Sequence, residues 1–379
     1  MFSTQSKFLF MFTKTGRFVE RKIIPTQIKV LDSILGGGIE ERGIILIVGT
    51  PGAGKTQLSI QIASQFKKQG YQIFYLDTEI AVTETRAKAF GLDLNDLIQY
   101  APTIEELDEA IESELLPKLQ DKKTLLVIDS ISALSTKQEF SSLTDSIALG
   151  IKANLLTRLI NKLFRYKIDY NLTVVITAHM KENINLTPFG ASGLLTIKGK
   201  YRIPGGAALL YAANQMLYLI AKETKELAGN VQIRFVETGI IKNRLFTSGK
   251  NIKIAFSDKY GFFDLLSSLQ FLVDYNVIES KQGRLKFPFA DKGLLIKDVI
   301  TLYKNDPKFR EQFDNLINNS SYEILVKPYM FEGNVSDSQT EMDILANMQK
   351  TEDVLSTEDI DMNKKSKRKN QPDELDIDI

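Results

Sequence analysis

Residues 46–56 read Leu-Ile-Val-Gly-Thr-Pro-Gly-Ala-Gly-Lys-Thr. Ile44, Ile45, Leu46, Ile47 and Val48 form a continuous apolar run of strand type that breaks at Gly49, and apolar positions at helical spacing begin once the loop has ended in Lys55-Thr56. A Gly-x-x-x-x-Gly-Lys-Thr loop between a strand and a helix is built to hold phosphate. Gly49, Thr50, Pro51, Gly52, Ala53 and Gly54 wrap the phosphate oxygens with backbone, and Lys55 reaches the β- and γ-phosphates. Thr56 offers its hydroxyl to Mg²⁺ and Gln57 follows in the first turn of the helix, whose N-terminus already favours anions. The stretch predicts a nucleoside triphosphate site in a sheet flanked by helices.

The helix carried by Leu58, Ile62, Ala63 and Phe66 stops at Gly70, and a second strand over 72–76 runs directly into Asp77-Thr78-Glu79. A carboxylate just past a strand's C-terminal end lies on the edge of a parallel sheet where ligands bind. Glu79 is therefore placed to orient or deprotonate a water attacking the γ-phosphate; alternatively, Glu79 or Asp77 caps the next helix. In that helix, over 85–90, Arg86 either stacks on a nucleotide base or is a solvated surface arginine.

A helical pattern over 104–119 precedes a third strand, 124–128, ending in Asp129-Ser130. An apolar strand ending in Asp, downstream of a phosphate loop, matches the motif whose Asp supports Mg²⁺. A loop over 135–146 and an amphipathic helix over 148–164 lead to a fourth strand, 172–177, and then to Ala178-His179. His179 is the single histidine of the chain. At the end of a fourth core strand it reads as a γ-phosphate sensor; the alternative is a structural histidine, and no second nitrogen or sulfur ligand nearby suggests a metal site.

The composition bounds what such a core can do. At 379 residues the chain holds one large α/β domain and a smaller appendage. The lack of cysteine excludes disulfides, thiolate metal sites and a cysteine nucleophile. No apolar run reaches the ~18 residues of a membrane span, and the Phe-rich 8–12 is too short for a signal segment, so the chain reads as cytoplasmic with no membrane partner. From Asn334 onward, twelve acidic residues face six basic ones, so this tail carries −6 and residues 1–333 carry +7. Such asymmetry fits either a polyanion-binding surface with its own competitor attached or a solubilising tail.

Residues 181–204 show no sustained apolar period and interleave Lys181, Phe189, Lys198, Lys200, Tyr201 and Arg202. Basic side chains among aromatics suit single-stranded nucleic acid, through phosphate contacts and base stacking. A helix restarts over 207–214, followed by strands over 216–220, 231–236 and 239–242, the last running into Asn243-Arg244. Beyond 256, a helix, a hairpin turning at Gln282-Gly283-Arg284 and two further helices read as a small α+β domain of winged-helix-like order. The lead over 1–22 either packs on its own domain or adds onto a neighbouring subunit. The tail has a disordered composition, and within it the basic block 364–369 is either a solvated linker or a transient contact.

Five stretches together resemble the RecA-like recombinase superfamily: Gly-Thr-Pro-Gly-Ala-Gly-Lys-Thr (49–56), Phe-Tyr-Leu-Asp-Thr-Glu (74–79), Leu-Leu-Val-Ile-Asp-Ser-Ile-Ser-Ala-Leu (125–134), Val-Val-Ile-Thr-Ala-His (174–179) and Pro-Gly-Gly-Ala-Ala-Leu-Leu-Tyr-Ala-Ala (204–213). The resemblance covers about 24–244. The overall layout is most like the UvsX recombinases of tailed phages, while the wording of the phosphate loop is closer to archaeal and eukaryotic recombinases and KaiC-like ATPases than to bacterial RecA. It implies an α/β fold: a RecA-type ATPase core with a mainly parallel sheet over 23–255, a lead over 1–22, a small C-terminal α+β domain over 256–333 and a disordered acidic tail over 334–379.

The same resemblance implies that Lys55 and Thr56 bind ATP and Mg²⁺, Asp129 supports Mg²⁺ and Glu79 is the catalytic carboxylate. His179 stands where most members carry a γ-phosphate switch Gln. The loops near 135–146 and 181–204 correspond to two DNA-binding loops, and Lys242 and Arg244 match cations supplied to the ATP of an adjacent subunit. The implied activity is DNA-dependent ATP hydrolysis driving strand exchange, with filaments on single-stranded DNA serving homologous recombination, repair and recombination-dependent replication. Single- and double-stranded DNA, further copies of the chain, and mediator and single-strand-binding proteins are the corresponding partners. The competing readings are a hexameric RecA-fold motor or KaiC-like ATPase, and a mediator that binds ATP without turnover.

Overall fold

The computed structural model describes residues 22–119, 122–141, 145–182, 196–197, 201–202, 206–227 and 231–330. Its central sheet has nine strands: β1 (Ile44–Gly49), β2 (Gln72–Asp77), β3 (Leu97–Gln99), β4 (Thr124–Asp129), β5 (Leu172–His179), β6 (Gln215–Leu227), β7 (Val231–Asn243), β8 (Asn251–Ser257) and β9 (Gly261–Phe263). Their spatial order is β9-β8-β7-β6-β1-β5-β4-β2-β3. From β6 to β3 every pairing is parallel; from β6 to β9 every pairing is antiparallel. The mainly parallel α/β core expected from the sequence is present.

The central strands β1, β4 and β5 are Ile-, Leu- and Val-rich and buried along almost their whole length, as strands covered on both faces must be. Register decides what this sheet can present. Gly49 lies opposite His179 and Asp77 opposite Asp129, and the β4–β5 register (Ile128 beside Ile176) sets the second pair two residues short of the first, so four strand ends finish on one edge.

The helices of this unit are α1 (Lys29–Leu35), α2 (Lys55–Lys68), α3 (Glu84–Ala89), α4 (Ile104–Ala110), α5 (Lys137–Ser141), α6 (Asp145–Asp169) and α7 (Gly206–Ala212). α4 begins at a capping box, in which the Glu106 amide donates to Thr103 Oγ1 (3.2 Å) and the Thr103 amide donates to Glu106 Oε2 (2.8 Å). Leu107, Ile111 and Leu115 bury the inner face of this helical stretch in one apolar cluster with Leu159, Ile160 and Leu163 of α6. Each such side chain contributes about 1.5–3 kcal/mol. On the rim of that packing, Lys162 lies 2.7 Å from both Asp108 and Glu112.

Three expectations are corrected. The expected loop over 135–146 is helical over 137–141 and again from 145, with 142–144 outside the described residues: Thr136 and Glu139 make a second capping box (2.7 and 3.1 Å) that starts α5, and α6 begins at Asp145. The stretch 181–204 is not wholly without structure, because Lys181–Glu182, Thr196–Ile197 and Tyr201–Arg202 pair as a small antiparallel sheet. The first compact unit runs to Phe271 rather than 255, since β8 pairs with β7 and β9 with β8, continuing the main sheet.

The second unit starts at Leu272, within α8 (Asp264–Asp274). It holds a three-stranded antiparallel sheet, with Glu279–Lys281, Arg284–Lys286 and Leu294–Leu295, and the helices α9 (Ile296–Asn305) and α10 (Pro307–Ser321). Asp306 caps α10, accepting from the Lys308 amide at 2.9 Å, with Pro307 in the first turn. Phe287 packs edge-on against Phe309 and Phe313, with ring centroids 5.8 and 6.1 Å apart. The expected lead and acidic tail lie outside the described residues, apart from Lys22 of the lead.

Candidate active site

The phosphate loop leaves β1 at Gly49 and enters α2 at Lys55. Gly54 holds φ at +87°, and a Cβ there would sit 2.9 Å from Phe262 Cζ, so only glycine lets the loop turn this closely over β9. β6 grips the same loop: the Thr50 amide donates to the Leu219 carbonyl (3.0 Å), and the Ala221 amide donates to Thr50 Oγ1 (3.0 Å). Lys55 is buried, its ammonium donating to the carbonyls of Gly49 (3.2 Å) and Thr50 (3.1 Å). Burial holds its pKa below the ordinary lysine value, against the pull of the Glu79 and Asp129 carboxylates.

Asp129 ends β4 almost fully buried. Tyr75 donates to its Oδ2 at 2.7 Å, Thr177 donates to its Oδ1, and the Thr56 hydroxyl is a third partner. Desolvation still outweighs these donors and raises the carboxyl's pKa. Burial likewise opposes ionisation of Glu79, but here the Ser130 hydroxyl (2.5 Å) and the His179 ring (Nε2, 2.8 Å) win, and the carboxyl is held below its usual value. Both donors converge on Oε1. Oε2 has no hydrogen-bond partner among the described residues. His179 is fixed through its amide, which donates to Ser132 Oγ at 3.0 Å.

Lys55, Thr56, Glu79, Asp129 and His179 therefore meet around one cavity of about 190 Å³. Asp77 does not join them, because its carboxylate accepts from the amides of Ala81 (3.2 Å) and Val82 (2.8 Å); nor does it cap α3, whose cap is Thr83. Arg86 lines the cavity with its guanidinium on the Asp258 carbonyl at 2.6 Å, so it is held in the wall and not free in solvent. Gln57 is buried in the wall of the cavity, and its Nε2 has no hydrogen-bond partner among the described residues.

These residues fit a Mg²⁺-bound triphosphate. A buried ammonium and a glycine cradle suit the phosphates, and Thr56 and Asp129 suit a cation that takes one or two protein oxygens and completes its shell from phosphate and water. Among the described residues there is no group of three or more His, Asp or Glu that could hold a metal ion.

Lys242 and Arg244 are elsewhere. Lys242 pairs with Met216, itself beside Leu46, near the N-terminal ends of the parallel strands and away from the phosphate loop. There Lys242 donates to the Leu210 (2.8 Å) and Tyr211 (3.0 Å) carbonyls, and Arg244 donates to the Tyr211 carbonyl (2.7 Å), closing the C-terminus of α7. They take no part in the site of their own chain. Of the nucleic-acid candidates, exposed Lys181 and Arg202 are direct cross-strand partners and Tyr201 is half-buried beside them; Phe189, Lys198 and Lys200 lie outside the described residues.

Sequence reasoning missed Tyr75, Ser130, Thr177, Phe256 and Asp258. Thr177 stands two residues before His179 and so shares its face of the strand, a signal that was available. Phe256 and Asp258 are brought in by the β7–β8 pairing, which leaves no local pattern.

A family model described as RecA N-terminal domain matches residues 10–258. The chain is similar to Protein RecA of Ruminococcus albus, 25% identical over 335 residues, 88% of this chain and 80% of that protein. It is 32% identical to Protein RecA of Fusobacterium nucleatum over 165 residues, 43% of each chain. Protein RecA of Campylobacter jejuni subsp. doylei is 27% identical over 300 residues, 76% of this chain and 82% of the relative.

Proposed function

The chain belongs to the RecA family, and from that premise we propose that it is an ATP-dependent recombinase that assembles on single-stranded DNA and catalyses strand exchange in homologous recombination and repair. One observation carries the reading. The phosphate loop, Glu79, Asp129 and His179 share one sheet edge, whereas Lys242 and Arg244 sit away from it, so these cations reach a nucleotide only across a subunit boundary.

In this reading Lys55 turns from its two loop carbonyls to the β- and γ-phosphates. Thr56 and Asp129 hold Mg²⁺, which supplies charge neutralisation between those phosphates. Glu79, anchored through Oε1, uses Oε2 to take the proton of the attacking water. His179 reports the γ-phosphate, and the Lys242 and Arg244 of a neighbour stabilise the transferring group, tying turnover to assembly. A head-to-tail contact of this kind gives a filament when its rotation does not close on itself and a ring when it does.

The nucleic-acid reading is supported by Lys181 opposite Arg202. Like charges directly across a strand pair cost stability unless a polyanion takes them up. Single- and double-stranded DNA are thus the proposed partners, with mediator and single-strand-binding proteins as further ones. Within the family, the short lead, modest second unit and acidic tail support the finer likeness to the UvsX recombinases.

The test is electron microscopy with single-stranded DNA and a non-hydrolysable ATP analogue. Helical filaments are expected. Closed rings would favour the hexameric motor, and ATP binding with no turnover under any DNA condition would favour a mediator.

A further inference from the structure

Behind the wall of the nucleotide cavity stands a cation that neither the motifs nor the mechanism uses. Arg234, on β7, donates Nη1 to the Gly52 carbonyl in the crown of the phosphate loop (2.6 Å) and Nη2 to Asp258 Oδ2 (2.5 Å). Its guanidinium lies over the Phe256 ring, 5.7 Å from the centroid. Gly52 admits this approach because it has no side chain: φ is +69°, and a Cβ would stand 3.0 Å from Arg234 Nη1. Three groups that line the cavity are therefore tied to one planar fork, which a lysine's point charge could not reproduce.

The charge balance gives the fork a purpose. The cavity lining carries three carboxylates, Glu79, Asp129 and Asp258, against two cations, Lys55 and Arg86. A formal charge of −1 is unsuited to a site that must accept a triphosphate. Glu79 and Asp129 have work to do in hydrolysis, but Asp258 has none and would repel the ligand. Arg234 neutralises it from the rear, while Arg86 holds the Asp258 carbonyl from the front (2.6 Å).

We propose that Arg234 is a positioning residue of the nucleotide site, which cancels the Asp258 charge and fixes the loop crown against the Phe256–Asp258 wall so that a nucleoside triphosphate is admitted. This rests on the ATP-binding reading above. It assigns Arg234 no contact with substrate.

The test is a double-mutant cycle read by binding of a fluorescent ATP analogue and by steady-state ATPase, with thermal melting as the folding control. An isolated exposed ion pair is worth little, but here a charge-assisted bond to the loop acts together with an uncancelled carboxylate. R234Q is expected to weaken nucleotide binding about tenfold, equivalent to about 1.4 kcal/mol, with the loss in KM and not kcat. R234Q/D258N is expected to bind within about threefold of wild type, because removing the carboxylate removes the need for its partner. R234K is expected to recover part of the loss, as it restores charge but not the fork. R234Q binding as wild type does, or the double variant as weak as R234Q at equal melting temperature, overturns the proposal. Wild-type protein that binds no nucleotide would overturn the ATPase reading itself, and this inference with it.

Discussion

Replacing His179 with Ala separates nucleotide sensing from nucleotide binding. His179 Nε2 lies 2.8 Å from Glu79 Oε1, and a ring N–H given to that carboxylate is engaged there. That proton cannot serve Glu79 and a γ-phosphate together, so ATP must draw the ring away from the carboxylate. A hydrogen bond to a charged group is worth about 1.5–3 kcal/mol when buried. With both side chains about one-third exposed (36% and 33%), screening reduces it to about 1 kcal/mol. The expected outcome for H179A is about a fivefold loss in the ratio of ATP to ADP affinity, with ADP affinity unchanged, and loss of most DNA stimulation of turnover. H179Q, whose amide carries two N–H donors, is expected to keep both properties. The assay is competitive displacement of a fluorescent nucleotide by ATP and ADP, followed by ATPase with and without single-stranded DNA. An H179A protein whose ATP and ADP affinities fall together would show a structural histidine, and one with full DNA stimulation would refute the sensor role.

Glu79→Gln keeps the side chain's shape but cannot accept a proton. Hydrolysis should fall at least about 10²-fold while nucleotide affinity stays within about threefold, and retained turnover would remove Glu79 from the mechanism. The carboxyl of Asp32, buried where it accepts from the Thr26 amide (2.7 Å) and hydroxyl (2.8 Å), is pushed by desolvation from 3.8 up to about 7. The folded chain therefore binds this proton more tightly than the unfolded one, and the contribution of Asp32 to stability falls as pH rises from about 4 to about 7, by at most on the order of 4 kcal/mol. D32N, compared with wild type by denaturant unfolding at pH 4.5 and 8, should gain relative stability at the higher pH; parallel pH profiles would contradict the shift. Removing the chain after Glu332 takes away the net −6 that begins at Asn334, and should strengthen duplex DNA binding about three- to tenfold at low salt. Equal affinities for the full and shortened chains across a salt series would mark the tail as a solubilising one.

The legible residues share a physical property: each ends an apolar run. Glu79, Asp129 and His179 lie at or just past the ends of β2, β4 and β5, and parallel pairing brings those ends to the edge where β1 delivers the phosphate loop. A one-dimensional pattern was enough because the sheet converts run boundaries into neighbours. Antiparallel pairing does the opposite. β7 runs back from the loop, so Arg234 at one end touches Gly52 while Lys242, eight residues on and about 26 Å along the strand, closes α7 well away from the loop. No periodicity in 231–243 says which end faces the nucleotide; that follows from Arg234 pairing with Phe256 and Lys242 with Met216. The same register gives β7 one cation, Arg234, on the phosphate loop and another, Lys242, on the end of α7. A strand slip that displaced one would displace the other. The wall of the nucleotide cavity and the place of Lys242 are thus fixed together, by the hairpin and not by the motifs.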